Sequence, residues 1–106
     1  MKVVAFAPDL MDRSRISAAA PDVRFVTEAH DLATAQEDLV LVDVSRPGVL
    51  DHLGASAGFV VGFGSHVDQA TLDAASGAGC DLVLPRSKFF RRLDELIRED
   101  PTGGGR

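Results

Sequence analysis

Asp43 is the residue of this sequence best placed to do chemistry. It ends the apolar run Leu39-Val40-Leu41-Val42, and the turn residues Pro47 and Gly48 follow it. A carboxylate brought to the mouth of a buried strand is either a working group or the relic of one. Other candidates share its neighbourhood in the pattern. Asp9 follows the first apolar run, Gly64, Ser65 and His66 close the segment Gly-Phe-Gly-Ser-His, and Arg86 stands in Pro-Arg-Ser-Lys. Glycines at a strand end ahead of a helix leave backbone N–H groups available to an anion. Gly64, Ser65, His66, Arg86 and Asp9 therefore form a candidate rim for a phosphate, sulfate or carboxylate, against the plainer reading of a turn with an exposed histidine. The segment lacks the third glycine of a dinucleotide fingerprint and the Gly-Lys-Ser/Thr of a P-loop.

Three further patterns carry less. Residues 54–58 spell Gly-x-Ser-x-Gly around Ser56, but the hydrolase elbow leads out of a strand and this one leads into one, so it reads as a small-residue connector. His30, His52 and His66 are scattered, without a cysteine partner or an i, i+4 pair, and no metal site is read from them. The single cysteine, Cys80, excludes an internal disulfide and reads as a small buried hydrophobe.

These side chains have to be positioned by elements, and the chain of 106 residues suffices for one domain. Residues 1–100 read as that domain and 101–106 as a flexible glycine-rich tail. A net charge of −5 argues against a nucleic-acid face, since phosphate affinity comes from accumulated Lys and Arg. The local basic stretch Arg86, Lys88, Arg91, Arg92 is followed by Asp94, Glu95, Glu99 and Asp100 and reads as a solvated helix face. No secretory signal order and no apolar run near the ~20 residues of a membrane span is present in the sequence. A cytoplasmic protein without membrane or nucleic-acid partners is expected.

Val3-Val4-Ala5-Phe6-Ala7 is a continuous apolar run, the pattern of a strand covered on both faces. Asp9 offers an N-cap and Asp12 a first-turn acid for a helix that Pro21 ends. Residues 23–26 read as a second strand. A second helix is expected over 27–36, with Thr27 as cap and Ala29, Leu32 and Ala33 on one face. After the strand ending at Asp43, residues 49–53 suit a short helix, 59–63 a fourth strand, and 67–76 a helix capped by Ser65 with Val67, Ala70 and Ala74 inward. Residues 81–85 form a fifth strand. The last helix begins near Ser87 and is the most amphipathic, with Phe89, Phe90, Leu93, Leu96 and Ile97 on its apolar side. Five strand–helix alternations predict an α/β fold in three layers, α/β/α, with a five-stranded parallel sheet in the flavodoxin-like order 2-1-3-4-5. Its ligand rim lies at the carboxyl ends of the strands.

On Asp-Leu-Val-Leu-Val-Asp-Val-Ser-Arg-Pro-Gly (38–48) and Gly-Ala-Gly-Cys-Asp-Leu-Val-Leu-Pro-Arg-Ser-Lys-Phe (77–89), the chain resembles the CheY-like receiver domains of response regulators. The resemblance implies that Asp43 stands at the phosphoacceptor position. It also implies a Mg²⁺ held by two adjacent acids after the first strand, a Ser or Thr ending the fourth, an aromatic switch on the fifth and a lysine at the site. Here those positions carry Ala7 and Pro8, Gly64, Val83 and Arg86. Asp9 lies one place beyond the acidic pair and has a helix to cap. The departures remove metal, anchor, lever and usual cation together, so the expectation is a degenerate pseudo-receiver that binds no metal or cofactor and is no enzyme.

A signalling or regulatory module working through a protein partner or a second copy follows, with Arg91, Arg92, Asp94 and Glu95 as the candidate interface. A charge-assisted pair between Asp43 and Arg86 is expected to hold the loops in one state. The alternatives are a small-ligand or anion-binding domain, conceivably an enzyme, using the rim, and an atypical receiver whose metal site is built from Asp9, Asp12 and Asp43.

Overall fold

A computed structural model describes residues 1–54, 58–65 and 68–98 of the chain. Ser56, His66, Val67, the acids Glu99 and Asp100 and the tail 101–106 lie outside the described residues. The elements run β1 (Val3–Phe6), α1 (Leu10–Ala19), β2 (Arg24–Phe25), a 3-10 helix (Ala29–Thr34), β3 (Leu39–Asp43), a second 3-10 helix (Val49–His52), β4 (Phe59–Gly64), α2 (Gln69–Ala78), β5 (Leu82–Pro85) and α3 (Arg86–Arg98). All strands pair in parallel in the order β2-β1-β3-β4-β5, the flavodoxin-like arrangement that the alternation predicts.

Every residue of β1 and β3 is buried, because both faces of the sheet are covered. The strand period of two divides their side chains between two apolar clusters. Val3, Ala5, Leu39, Leu41, Val61 and Phe63 face α1 and α3, where Ile16, Phe89, Leu93 and Leu96 meet them. Phe63 and Phe89 stack with ring centroids 4.3 Å apart and planes 11° from parallel. Val4, Phe6, Val40, Val42 and Val60 face the 3-10 helices and α2, packing on Leu32, Val49, Leu53 and Ala75.

The helix expected over 27–36 is instead the 3-10 helix Ala29–Thr34, and Thr27 does not cap it: the N-cap is Glu28, which makes no side-chain cap bond. Leu32 is its one fully buried residue, too little apolar surface to drive a longer amphipathic helix. The segment 49–53 likewise makes one 3-10 turn, entered through Gly48 in the left-handed region (φ 77°), a conformation open to glycine without steric cost.

Ser65 does not cap α2. Asp68 does, accepting the Thr71 N–H at 2.8 Å, and the helix starts later and is rotated from the expected face. Ala70 and Ala74 are exposed and Ala75 is the buried contact. Gly79 (φ 124°) stops the helix, with the Cys80 N–H bonding back to the Ala75 carbonyl. Among the described residues no helix is long and apolar enough to cross a membrane.

Candidate functional site

The register sets the site. Asp43 is the last paired residue of β3, opposite Phe63 of β4, while Phe6 of β1 pairs with Val42. Ala7 and Asp43 are therefore neighbours one step past the last β1–β3 pair. Ala7 is 1% exposed and belongs to the apolar cluster beneath α1 and α3, so the place beside Asp43 where an acid could stand is filled by a methyl group.

Asp43 itself is 1% exposed. Its Oδ1 accepts both the Ser45 backbone N–H at 3.0 Å and the Ser45 hydroxyl at 2.5 Å. Its Oδ2 accepts Arg46 Nε at 3.4 Å and faces Arg86 Nη2 at 4.0 Å. The expected Asp43–Arg86 contact is thus an ion pair without a hydrogen bond. The hydrogen bond of Arg86 goes elsewhere, from Nη1 to Asp12 Oδ1 at 2.8 Å.

Asp12 belongs to this candidate site by its contact with Arg86, although the rim derived from sequence leaves it out and only the alternative metal set included it. With Ile16 it is one of the two buried residues of α1, and this i, i+4 relation is the signal that finds it, since both positions lie on one helix face. Burial pushes the Asp12 carboxyl above the usual carboxylate range, and the Arg86 guanidinium pulls it partly back. Asp12 Oδ2 and Arg86 Nε are both buried and find no hydrogen-bond partner. Two guanidinium groups, those of Arg86 and Arg46, thus face two buried carboxylates.

Asp9 caps α1: its Oδ1 accepts the N–H groups of Met11 at 2.9 Å and Asp12 at 3.1 Å. The Asp12 N–H above all holds its carboxyl below the ordinary value. Gly64 is buried at the end of β4 opposite Pro85, Ser65 is exposed, and the His66 contribution to the rim lies outside the described residues. Arg86 is the first residue of α3, directly after β5. Val83 packs against the cluster under α2 and the 3-10 helices.

No family model matches the chain, and no curated protein matches it significantly. Solved structures do. A response regulator from Hahella chejuensis superposes with a TM-score of 0.78 at 17% identity, covering 96% of each chain. One from Thermotoga maritima gives 0.75 at 15%, covering 96% of this chain and 98% of that one. The phosphorylated cyanobacterial phytochrome response regulator RcpA gives 0.73 at 14%, covering 90% and 89%. The fold is that of response-regulator receiver domains.

The receiver fold implies a divalent cation at the phosphoacceptor, and the donors in this chain do not fit one. Magnesium requires near-octahedral oxygen ligation. Ala7 and Pro8 supply no side-chain oxygen, both Asp43 oxygens are engaged by Ser45 and Arg46, and Asp12 is bonded to Arg86. No group of three or more His, Cys, Asp or Glu side chains among the described residues is arranged to hold a metal ion, which leaves the Asp9, Asp12 and Asp43 set without a ligand geometry.

Away from the rim, Arg91, Arg92, Asp94 and Glu95 are all exposed on α3. Arg92 and Glu95 approach to 4.0 Å, whereas Arg91 and Asp94 border an open groove of about 640 Å³ between α1 and α3, with Arg15 and Phe90 on its walls. Cys80 is buried, and desolvation pushes its thiol up to about 11, the behaviour of an inert core cysteine.

Proposed function

We propose that this chain is a noncatalytic, receiver-like signalling module that acts without phosphorylation of Asp43, through a protein partner or a second copy of itself. The observation that carries the reading is the saturation of Asp43: a buried carboxylate whose oxygens are held by Ser45, Arg46 and the nearby Arg86. A phosphoryl group arriving there adds negative charge and needs a cation and oxygen ligands set aside for it. Gly64 offers no hydroxyl, and the two guanidinium groups are already balanced by carboxylates. The site is built as a static brace that fixes the rim in one shape, and shape is what a partner recognises.

An anion bound at Gly64 and Ser65 with help from Arg86 is less well supported, because Arg86 is committed to two carboxylates. Backbone NMR of the wild type with Mg²⁺ and beryllofluoride tests the main reading. Unchanged signals for Asp43, Ser45 and Gly64 are expected, and shifts centred on Asp43 would overturn it. Affinity capture with wild type and Asp43→Ala in parallel should retain the same partner.

A further inference from the structure

Away from the Asp43 rim, the open groove of about 640 Å³ between α1 and α3 combines apolar walls with cationic edges. We infer that this groove is the docking site for an acidic, amphipathic helical segment of a protein partner, whose apolar side chains meet Phe90 and the alanines of α1 while its carboxylates meet Arg15 and Arg91. The inference rests on the reading of the chain as a partner-binding module and names the chemistry of that partner.

Charge complementarity selects the occupant. Arg15 and Arg91 border the groove against a single acid, Asp94, so it carries an excess of positive charge on a chain whose net charge is −5. Arg24, Arg46 and Arg86 each face a carboxylate. Among the described residues Arg15 and Arg91 form no salt bridge. The Arg15 guanidinium lies over the Phe90 ring, 5.0 Å from its centroid, a stacking that leaves the N–H groups at the edge of its plane open to an acceptor. Phe90 supplies the apolar anchor. It is half-buried, and its ring is held against Phe63 and Phe89 at centroid distances of 5.8 Å and 4.9 Å. A ring fixed in this way costs little further ordering when a partner binds, and aromatic and arginine side chains dominate the energy of protein interfaces. Ala18 and Ala19 form the α1 wall, where their short side chains leave room for the apolar face of a helix laid in the groove. A second copy suits the groove less well, because two-fold pairing sets the same patch on both sides and would bring two net-positive grooves together.

The test titrates the full chain with two labelled helical peptides of about 15 residues, both with leucine at i, i+3, i+4 and i+7, the polar face being glutamate in one and lysine in the other. Fluorescence anisotropy reads affinity and backbone NMR reads location. Wild type should bind the glutamate peptide in preference to the lysine peptide, less tightly as salt rises, with amide shifts centred on Phe90 and Arg91. Arg15→Glu/Arg91→Glu changes two exposed positions. It should bind the glutamate peptide about tenfold or more weakly and gain binding of the lysine peptide, a swap that unfolding cannot produce. Arg91→Glu alone serves if the double variant does not fold, with the same change of preference expected. Failure of the glutamate peptide to bind wild type, shifts centred elsewhere, equal binding of both peptides, or an unchanged preference in the variants overturns the inference. Self-association of wild type that the charge reversal abolishes would assign the groove to a second copy. Binding that appears only in Glu99→Gln/Asp100→Gln would assign it to the chain's own acidic end, and either result also overturns the inference. Beryllofluoride binding at Asp43 defeats the phosphorylation-independent reading and leaves the peptide result standing, so the two failures are distinguishable.

Discussion

Arg86 Nη1 donates to Asp12 Oδ1 at 2.8 Å across 74 sequence positions, tying the start of α3 to the first turn of α1 above the buried ends of the strands. Because the same guanidinium faces Asp43, it is the only cation among the described residues that contacts both buried acids. Removing it leaves two buried carboxylates with one guanidinium.

Arg86→Ala is therefore expected to destabilise the fold by about 3 kcal/mol, the range for breaking a buried ion pair from one side. The double variant Arg86→Met/Asp12→Leu should recover much of that loss, since an apolar pair of similar volume removes the desolvation cost with the charges. Urea unfolding of the wild type, Arg86→Met, Asp12→Leu and the double variant measures the coupling directly.

The Asp12 carboxyl has a defined pH signature. Its folded-state pKa lies above the ordinary value of 3.8 because of burial, so the folded state binds the proton more readily than the unfolded chain does. The corresponding stability is fully present below about 3.8 and is lost as pH rises through the raised folded value. Wild type should thus gain stability relative to Asp12→Asn as pH falls from neutral toward 4, measured as the difference between the two denaturation midpoints. A difference independent of pH would show that Asp12 is not buried as an ionisable group.

Arg24 and Glu37 give the opposite sign. Arg24 donates to Glu37 from Nε at 2.6 Å and from Nη2 at 3.1 Å, and this bonding holds Glu37 below its ordinary value of 4.5. Its contribution is present above about pH 4.5 and lost as pH falls through the depressed value. Arg24 is 53% exposed, so solvent screening limits the effect: Glu37→Gln should cost less than about 1 kcal/mol at neutral pH and nothing measurable near pH 2.

Phe63 and Phe89, both fully buried and stacked, join β4 to α3. Phe63→Ala should cost about 3–5 kcal/mol through lost burial and the cavity it leaves. Phe63→Leu should cost markedly less. Thermal melts of the two variants separate cavity formation from loss of the ring contact.

Gly58 is required for a different reason. A Cβ built there would lie 2.2 Å from the Glu37 carbonyl oxygen and 2.7 Å from that of Asp38, backbone atoms on the approach to β3. Gly58→Ala should destabilise by about 1–3 kcal/mol by forcing the start of β4 away from that approach, with loss of amide-exchange protection at Phe59, whose N–H bonds the Asp38 carbonyl at 2.9 Å. Gly77→Ala, where nothing lies within 4 Å of the added carbon, is the control.

The sequence alone determined the alternation of strands with helical segments, the helix that Asp9 caps and the apolar face of α3, because each depends on periodicity and capping within a few residues of itself, and the sheet order followed from that alternation through the handedness of parallel crossovers. The resemblance to receiver domains led from the same residues to the expectation that Ala7, Pro8, Gly64 and Val83 stand where a receiver keeps its chemistry. The local pattern went astray where segments were short: Ala29–Thr34 and Val49–His52 are 3-10 helices with one buried residue each, Leu32 and Val49, and Asp68 outcompetes Ser65 as the α2 cap. Only the tertiary structure decided that Asp12, on the helix face it shares with Ile16, takes the hydrogen bond of Arg86, leaving Asp43 to Ser45 and Arg46. That choice depends on where the parallel sheet brings the end of β5 relative to α1, a long-range geometry that no local periodicity encodes.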